Sequence, residues 1–188
     1  MLKIVAIIGL LLLTAVTVIV VLASRRPDEF RVSRNLQMQA PPEKIYPLIA
    51  DLKAWPQWSP YEKKDPDMAR KIGGADQGVG ATYEWDGDKN VGAGRMEIID
   101  VVEPSEGGAA KIAIKLDMLK PFEAHNLVEF SIVPIRLANG AEGSSVTWAM
   151  RCPAIFPSKV MSLFLDMDKM VGDDFAAGLA SLKIIAEK

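Results

Sequence analysis

Residues 109–133 read AAKIAIKLDMLKPFEAHNLVEFSIV, an alternation of apolar and polar side chains interrupted once, at Pro121. Successive side chains of a strand point to opposite faces, so a period of two predicts two strands, 109–118 and 121–133, joined near the proline. Placing Met118 opposite Phe122 sets Leu116 opposite Ala124, Ile114 opposite Asn126 and Ile112 opposite Val128. The other face then pairs Lys115 with His125 and Lys111 with Glu129, which is polar and partly charge-matched. A slip of one residue would turn every apolar side chain to the opposite face, so the pattern itself selects the face.

The same logic extends outward in both directions. A strand at 144–151 brings Val146, Trp148 and Met150 beside Phe130, Val128 and Asn126. A strand at 91–102 brings Ile98 and Met96 beside Ile112 and Ile114, and one at 79–86 lays Tyr83 and Trp85 over Gly94 and Gly92. Asp86-Gly87-Asp88, Pro104 with Gly107-Gly108, and Asn139-Gly140 supply the turns. Phe30, Val32, Leu36 and Met38 alternate in a further strand. Pro42 then suits the first position of a helix whose apolar face is Ile45, Leu48, Ile49 and Leu52. The stretch Trp55-Pro56-Gln57-Trp58-Ser59-Pro60 ends it, and 62–78 is polar loop with at most a short strand. Residues 158–186 read as one long helix, with Phe164, Met167, Val171, Phe175, Gly178, Leu182 and Ile185 at spacings of three and four. One sheet face is therefore apolar and aromatic, and this helix is the cover available for it.

Upstream of the sheet lies a different kind of segment. Ile4–Ala23 holds twenty residues without a charge, between Lys3 and Arg25-Arg26. A helix of that length spans roughly 30 Å, the thickness of a bilayer core. The expected organisation is a single membrane anchor over 1–24, a polar linker over 25–29 and one α+β domain over 30–188. The rival is a cleaved signal peptide with Val21-Leu22-Ala23 at its end, although such apolar cores usually run only ~7–15 residues. Arg25, Arg26, Arg31 and Arg34 on the globular side lean toward a cytoplasmic domain on a single-pass cell-membrane protein.

Composition narrows the function further. Lys plus Arg is 22 and Asp plus Glu is 24 in 188 residues, so the net charge of -2 speaks against a nucleic-acid partner held by a basic surface. One Cys and one His exclude an intrachain disulfide, Cys-rich metal sites and zinc sites with two or more His ligands. No metal or cofactor is expected, and oligomeric state is left open. Cys152 has no partner base near it in sequence, and His125 falls on the polar outer face beside Lys115. Gly92-Ala93-Gly94 lacks the third glycine of a dinucleotide loop and is better explained as relief of crowding under Tyr83 and Trp85. Asp166, Asp168, Asp173 and Asp174 read as a solvated helix face, because calcium loops have a different spacing.

The ordered set of motifs resembles a known family. It comprises Ala40-Pro41-Pro42-Glu43-Lys44-Ile45-Tyr46, Asp51, Trp55-Pro56-Gln57-Trp58-Ser59-Pro60, Gly78-Val79-Gly80, Val91-Gly92-Ala93-Gly94, Lys120-Pro121-Phe122 and Val146-Thr147-Trp148. Together, over about residues 30–187, it resembles the START-like (SRPBCC) superfamily, in its polyketide cyclase/dehydrase-like branch. The resemblance implies a helix-grip fold, a curved antiparallel sheet around a long C-terminal helix with an apolar cavity between them. It further implies a hydrophobic small molecule or lipid as partner, and in some members enzymatic activity.

Residues on the predicted inner face and long helix form the expected ligand-binding set. The strands contribute Arg34, Tyr83, Trp85, Met96, Ile98, Ile114, Asn126, Val128, Trp148 and Met150; the helix contributes Phe164 and Met167. The methionines suit irregular apolar space. Asn126 and Arg34 are the polar exceptions, and a buried polar group requires a partner: protein, water or ligand. For Arg34 the alternatives are a bulge that turns it outward or an ion pair with an acid. With no inward carboxylate or histidine on the assigned strands, no catalytic residue is assigned. A carrier domain is therefore favoured over a cyclase/dehydratase-type enzyme or a ligandless interaction module.

Overall fold

Alternation, proline placement and helical spacing partition the described residues into an apolar helix, seven strands and four further α-helices. The computed structural model describes residues 2–188, with side chains from Lys3 onward. The order is α1 (Leu2–Ser24), β1 (Glu29–Met38), α2 (Pro42–Ala50), a 3-10 turn (Leu52–Gln57), α3 (Pro60–Lys64), β2 (Ala69–Gly74), β3 (Ala81–Asp86), β4 (Ala93–Val102), β5 (Ala110–Lys120), β6 (Ala124–Arg136), β7 (Glu142–Pro153), α4 (Phe156–Met161) and α5 (Met167–Ala186). The strands form one curved antiparallel sheet in the order β1-β7-β6-β5-β4-β3-β2.

The faces of this sheet are those the alternation predicts, but the pairing is displaced by two residues. Met118 lies opposite Ala124, Leu116 opposite Asn126 and Ile114 opposite Val128. The cause is the connection: β5 continues to Lys120 and β6 starts at Ala124, so Pro121-Phe122-Glu123 form a loop between them. The displacement carries across the sheet. Val128 pairs with Met150, Ile98 with Ile114, and Tyr83 with Met96. An even displacement leaves every side chain on its face, so the inner surface is preserved although the neighbours change.

Apolar side chains converge between the sheet's inner face and the helices. Ile45, Ile49 and Leu52 from α2 and the following turn meet Ile112, Phe130, Ile132 and Val146 in one buried cluster. Trp55 and Trp58 belong to it, each donating its indole N–H to a carbonyl of α2, Ile49 at 2.9 Å and Leu48 at 2.8 Å. The Trp/Pro-rich stretch is therefore packing, satisfied in its hydrogen bonds.

The C-terminal segment is two helices rather than one. Residues 162–166 break the helical run, and Asp166 caps α5 by accepting from the Lys169 N–H at 2.9 Å. Phe175, Leu179, Leu182 and Ala186 of α5 are buried in the core cluster. Trp148 stacks on Phe175 with ring centroids 4.1 Å apart and 8° between planes. Met167, at the other end of α5, is only partly buried.

Substitutions on α5 should separate its two ends. Phe175→Ala removes a stacked, 2 % exposed ring and should cost roughly 3–5 kcal/mol in chemical denaturation. Met167→Ala should cost much less, because its surroundings are not filled. Equal large losses at both positions would show a uniformly filled core under the helix.

Candidate functional site

The inner face curves away from the first turns of α5, and a cavity of ≈ 1730 Å³ opens between them. Ordinary small-molecule pockets occupy about 300–1,000 Å³, so this space suits a larger guest. Its sheet wall includes Tyr83, Trp85, Met96, Ile114, Asn126, Val128, Trp148 and Met150, and its helical side includes Phe164 and Met167. Ten of the twelve residues singled out from the sequence thus share one space.

Arg34 and Ile98 lie outside that lining. Ile98 is 0 % exposed and packs in the core cluster, beside the lining residue Ile114. Arg34 keeps the face of Val32 but reaches across Gly172 to Asp168 on α5. Its Nη1 and Nη2 meet the two carboxylate oxygens at 3.1 and 3.0 Å, and Nη2 also donates to the Asp168 carbonyl at 2.9 Å. A side chain on Gly172 would collide with this guanidinium, so glycine is what lets β1 clamp the start of α5. The ion pair holds the Asp168 carboxyl below its usual range.

Asn126 is 8 % exposed and lines the cavity; its side-chain amide makes no hydrogen bond among the described residues and opens onto that space, unlike the Trp148 indole N–H, which is buried without a partner. Gly94 explains how the wide ring of Trp85 fits against the sheet: a Cβ there would lie 2.5 Å from the ring. The Trp85 indole N–H donates to the Val91 carbonyl at 3.1 Å. His125 is exposed with Nδ1 2.7 Å from Asp117 Oδ1, its direct neighbour across the pair of strands, in place of the expected Lys115. Lys115 and His125 together hold the Asp117 carboxyl below its usual range. Cys152 lines the cavity, and burial pushes its thiol up to about 11, which keeps it protonated and unreactive at neutral pH. The acids of α5 are dispersed, with Asp166 capping, Asp168 on Arg34 and Asp174 2.6 Å from Lys64.

The sequence reading overlooked one charged group in the cavity wall. Glu62 of α3 has a side chain only 6 % exposed and lines the cavity. Its Oε2 accepts from Arg70 Nε at 2.7 Å, and its Oε1 accepts from the Tyr83 hydroxyl. Arg70, from the edge strand β2, also donates to the Met68 carbonyl at 2.7 Å. Burial, then the bond to Glu62, raises the Tyr83 phenol above the ordinary tyrosine value. Carboxylate and phenol O–H thus sit together at the edge of an apolar space, with a guanidinium balancing the charge. Locally, Ser59-Pro60-Tyr61-Glu62 has the spacing of a capping box, in which the glutamate would turn back to the helix N-terminus. The Ser59 side chain makes no capping bond, and Glu62 points to Tyr83 and Arg70.

Comparison with known proteins places this arrangement. The family model described as "Polyketide cyclase / dehydrase and lipid transport" matches residues 29–187, so the chain belongs to that family. No match to a functionally curated protein was found. Among solved structures, the chain is similar to protein CV1439 from Chromobacterium violaceum, at 16 % identity and TM-score 0.52, covering 87 % of this chain and 99 % of that one. Ginseng major latex-like protein 151 from Panax ginseng has 9 % identity and TM-score 0.54, covering 86 % and 100 %. Truncated norcoclaurine synthase from Thalictrum flavum has 13 % identity and TM-score 0.54, covering 85 % and 95 %. At these identities the likeness shows the shared fold.

Two measurements test the site. Glu62→Ala leaves Arg70 and Tyr83 without their acceptor and should lower stability by about 1–3 kcal/mol, less than a fully buried pair because Arg70 is 27 % exposed. An unchanged melting temperature would show the cluster to be energetically idle. Tyr46, Tyr61 and Tyr83 are the chain's three tyrosines, and burial is the main cause raising each above 10.0. The unfolded chain therefore releases these protons first. Their stabilisation is present below pH ~10 and is lost as the pH rises toward the folded values. The tyrosinate absorption band should then appear together with unfolding. A band that grows near pH ~10 while the fold stays intact would contradict the burial of these phenols.

Proposed function

We infer that the chain is a membrane-anchored domain that carries a hydrophobic small molecule or lipid in the space between sheet and α5. The observation that carries this reading is the ≈ 1730 Å³ cavity, walled by Met96, Ile114, Val128, Trp148 and Met150 and holding the unpartnered amide of Asn126. Binding would be driven by removing ligand surface from water, at about 25 cal/mol per Å² of apolar area. Asn126 would take the ligand's polar end, since its amide both donates and accepts. The family description, which includes lipid transport, agrees with this chemistry.

The membrane part of the reading rests on α1. Lys3–Ser24 has a mean hydropathy of 3.1 and its apolar window is exposed, with only the C-terminal end of the helix, at Ala23, packed against the domain. An apolar surface of that length is stable in a bilayer and costly in water. Arg25, Arg26 and Arg31 remain on the globular side once Arg34 is committed to Asp168, which favours a cytoplasmic domain on a single-pass protein. The core cluster runs from Val32 to Ala186, so the domain has its own interior without α1.

One observation favours a second reading, a cyclase or dehydratase type of enzyme. Glu62 could accept a proton from a bound substrate while the Tyr83 hydroxyl, kept protonated by burial, donates one. The two readings part on turnover. A chain that returns an aromatic polyketide probe cyclised or dehydrated, and loses this with Glu62→Gln, is an enzyme; unaltered release is carriage.

Asn126→Leu gives the direct test of carriage. It should leave the empty protein as stable or more stable, because the amide, which opens onto the cavity, has no hydrogen bond within the described residues to lose. It should weaken binding of polar-headed lipids by roughly tenfold while sparing a purely apolar fluorescent probe. Native mass spectrometry of the detergent-extracted full chain should reveal a co-purifying apolar mass. Lower thermal stability with unchanged lipid affinity would remove Asn126 from the binding site.

A further inference from the structure

Where the cavity reaches the surface, the edge is apolar. Leu119 and Phe122, at the β5–β6 tip, are 57 % and 67 % exposed, and both line the opening. Ile155, before α4, is 58 % exposed; Phe164, Leu165 and Met170, around the α4–α5 connection, are 70 %, 44 % and 56 % exposed. All four line the same opening. Large apolar groups gathered at one mouth are costly in water, and a patch of this kind marks a surface that meets another phase or partner.

Its position relative to α1 says which. α1 packs against α4, and a shallow cleft is shared by Ile19 and Leu22 of α1 with Leu163 and Phe164. Arg26 and Pro27 of the linker themselves line the cavity opening, and Arg26 Nη2 donates to the Ser162 carbonyl at 3.4 Å. Residues 25–28 separate α1 from β1, and four residues extend at most about 14 Å, so the mouth stays close to the end of the span. The exposed apolar surface of α1 therefore runs into the rim on its α4–α5 side, and the β5–β6 tip lines the same cavity.

We propose that the rim formed by the β5–β6 tip and the α4–α5 connection is immersed in the bilayer interface, so that the cavity opens into lipid and takes an acyl-chain lipid directly from the membrane. This deepens the carrier function and rests on α1 being a membrane anchor. Phe122 and Phe164 are the two most exposed members of the rim and act as wedges, with Arg25 and Arg26 at headgroup level. A lipid leaving the membrane by this route keeps its chains in apolar surroundings throughout.

The test uses the full chain in phosphatidylcholine nanodiscs. Nitroxide labels are placed by Phe122→Cys or Phe164→Cys in a Cys152→Ala background, with Leu11→Cys as a marker within the span. Val79→Cys and Ile184→Cys serve as exposed apolar positions away from the mouth, 54 % and 65 % exposed. Labels at 122 and 164 should collide with dissolved oxygen more than with a water-soluble nickel chelate, as at 11, with the reverse at 79 and 184. Aqueous behaviour at 122 and 164 with lipid behaviour at 11 overturns the proposal and leaves the anchor intact. Aqueous behaviour at 11 overturns both. Labels at 122 and 164 shielded from both reagents would show a protein, a second copy included, on the rim, and would also overturn it.

A functional arm follows uptake of pyrene-labelled phosphatidylcholine. Phe122→Asp and Leu119→Asp, at rim positions outside the ligand-binding set, should each slow uptake from nanodiscs by about tenfold, since a carboxylate resists lipid depth. Both should fill to the same level as the parent chain from detergent micelles. Unchanged rates from nanodiscs would overturn direct entry from the membrane. A parent chain that takes up the probe from neither source would overturn lipid carriage, with the label accessibilities still deciding whether the rim is immersed.

Discussion

An apolar sheet face six strands wide must be covered, and one helix cannot cover it all. α5 closes the face only along its C-terminal half, where Phe175, Leu179, Leu182 and Ala186 are buried. Its N-terminal half, with Met167, Met170 and Val171, lines open space. The cavity is thus the unmet part of a covering requirement. The Arg34–Asp168 clamp fixes where the uncovered part begins, because it ties the first turn of α5 to β1 at one end of the sheet.

A cluster of rings divides the filled core from the open space. Trp148 stacks on Phe175 and meets Trp55, Trp58 and Phe130 with centroids between 5.0 and 6.4 Å apart. Offset and edge-on pairs of this kind contribute about 0.5–1.5 kcal/mol each beyond burial. The cluster is stiff for the same reason it is stable, since wide rings have few rotamers. Its one electrostatic defect is the Trp148 indole N–H, which is buried without a hydrogen-bond partner among the described residues. Trp148 also faces the cavity, so the cost falls at the boundary between core and binding space.

Much of the fold was legible because strand periodicity is a local property. The inner face could be read from residues 109–133 alone, and the even displacement of register could not damage that assignment. The register itself depends on how many residues the Pro121 loop holds outside the ladder, which alternation does not encode. The break before α5 escaped because Leu163, Phe164 and Leu165 continue the apolar pattern; the readable sign was Asp166 as a cap. The cavity lining followed from the face, which is why the eight strand residues were placed together. Ile98 shares the face but lies in the filled core, and a face assignment does not say where along a strand the filled part ends. Arg34 needed its partner on α5, 134 positions away, to explain its place on an apolar face. Glu62 was hidden for a similar reason. Its role is set by Arg70 and Tyr83 from two other elements, while its local sequence points to a cap that is not formed.

Carriage and catalysis make opposite demands on this one cavity. A carrier needs a guest held by area and a single polar contact, so that release does not require several strong bonds to break together. Asn126, facing the space without a partner, is suited to that. A catalyst needs a proton acceptor held in place and not spent on other bonds. Glu62 is held in place, but both of its oxygens already accept, one from Tyr83 and one from Arg70. Each of these bonds occupies a lone pair of the carboxylate and fixes its orientation. The same bonds make Glu62 a fixed acceptor for a ligand hydroxyl or amine, because a carboxylate has lone pairs beyond the two in use. With both oxygens engaged, the cluster is suited to orienting a polar group, which is the demand that the proposed carriage makes of it.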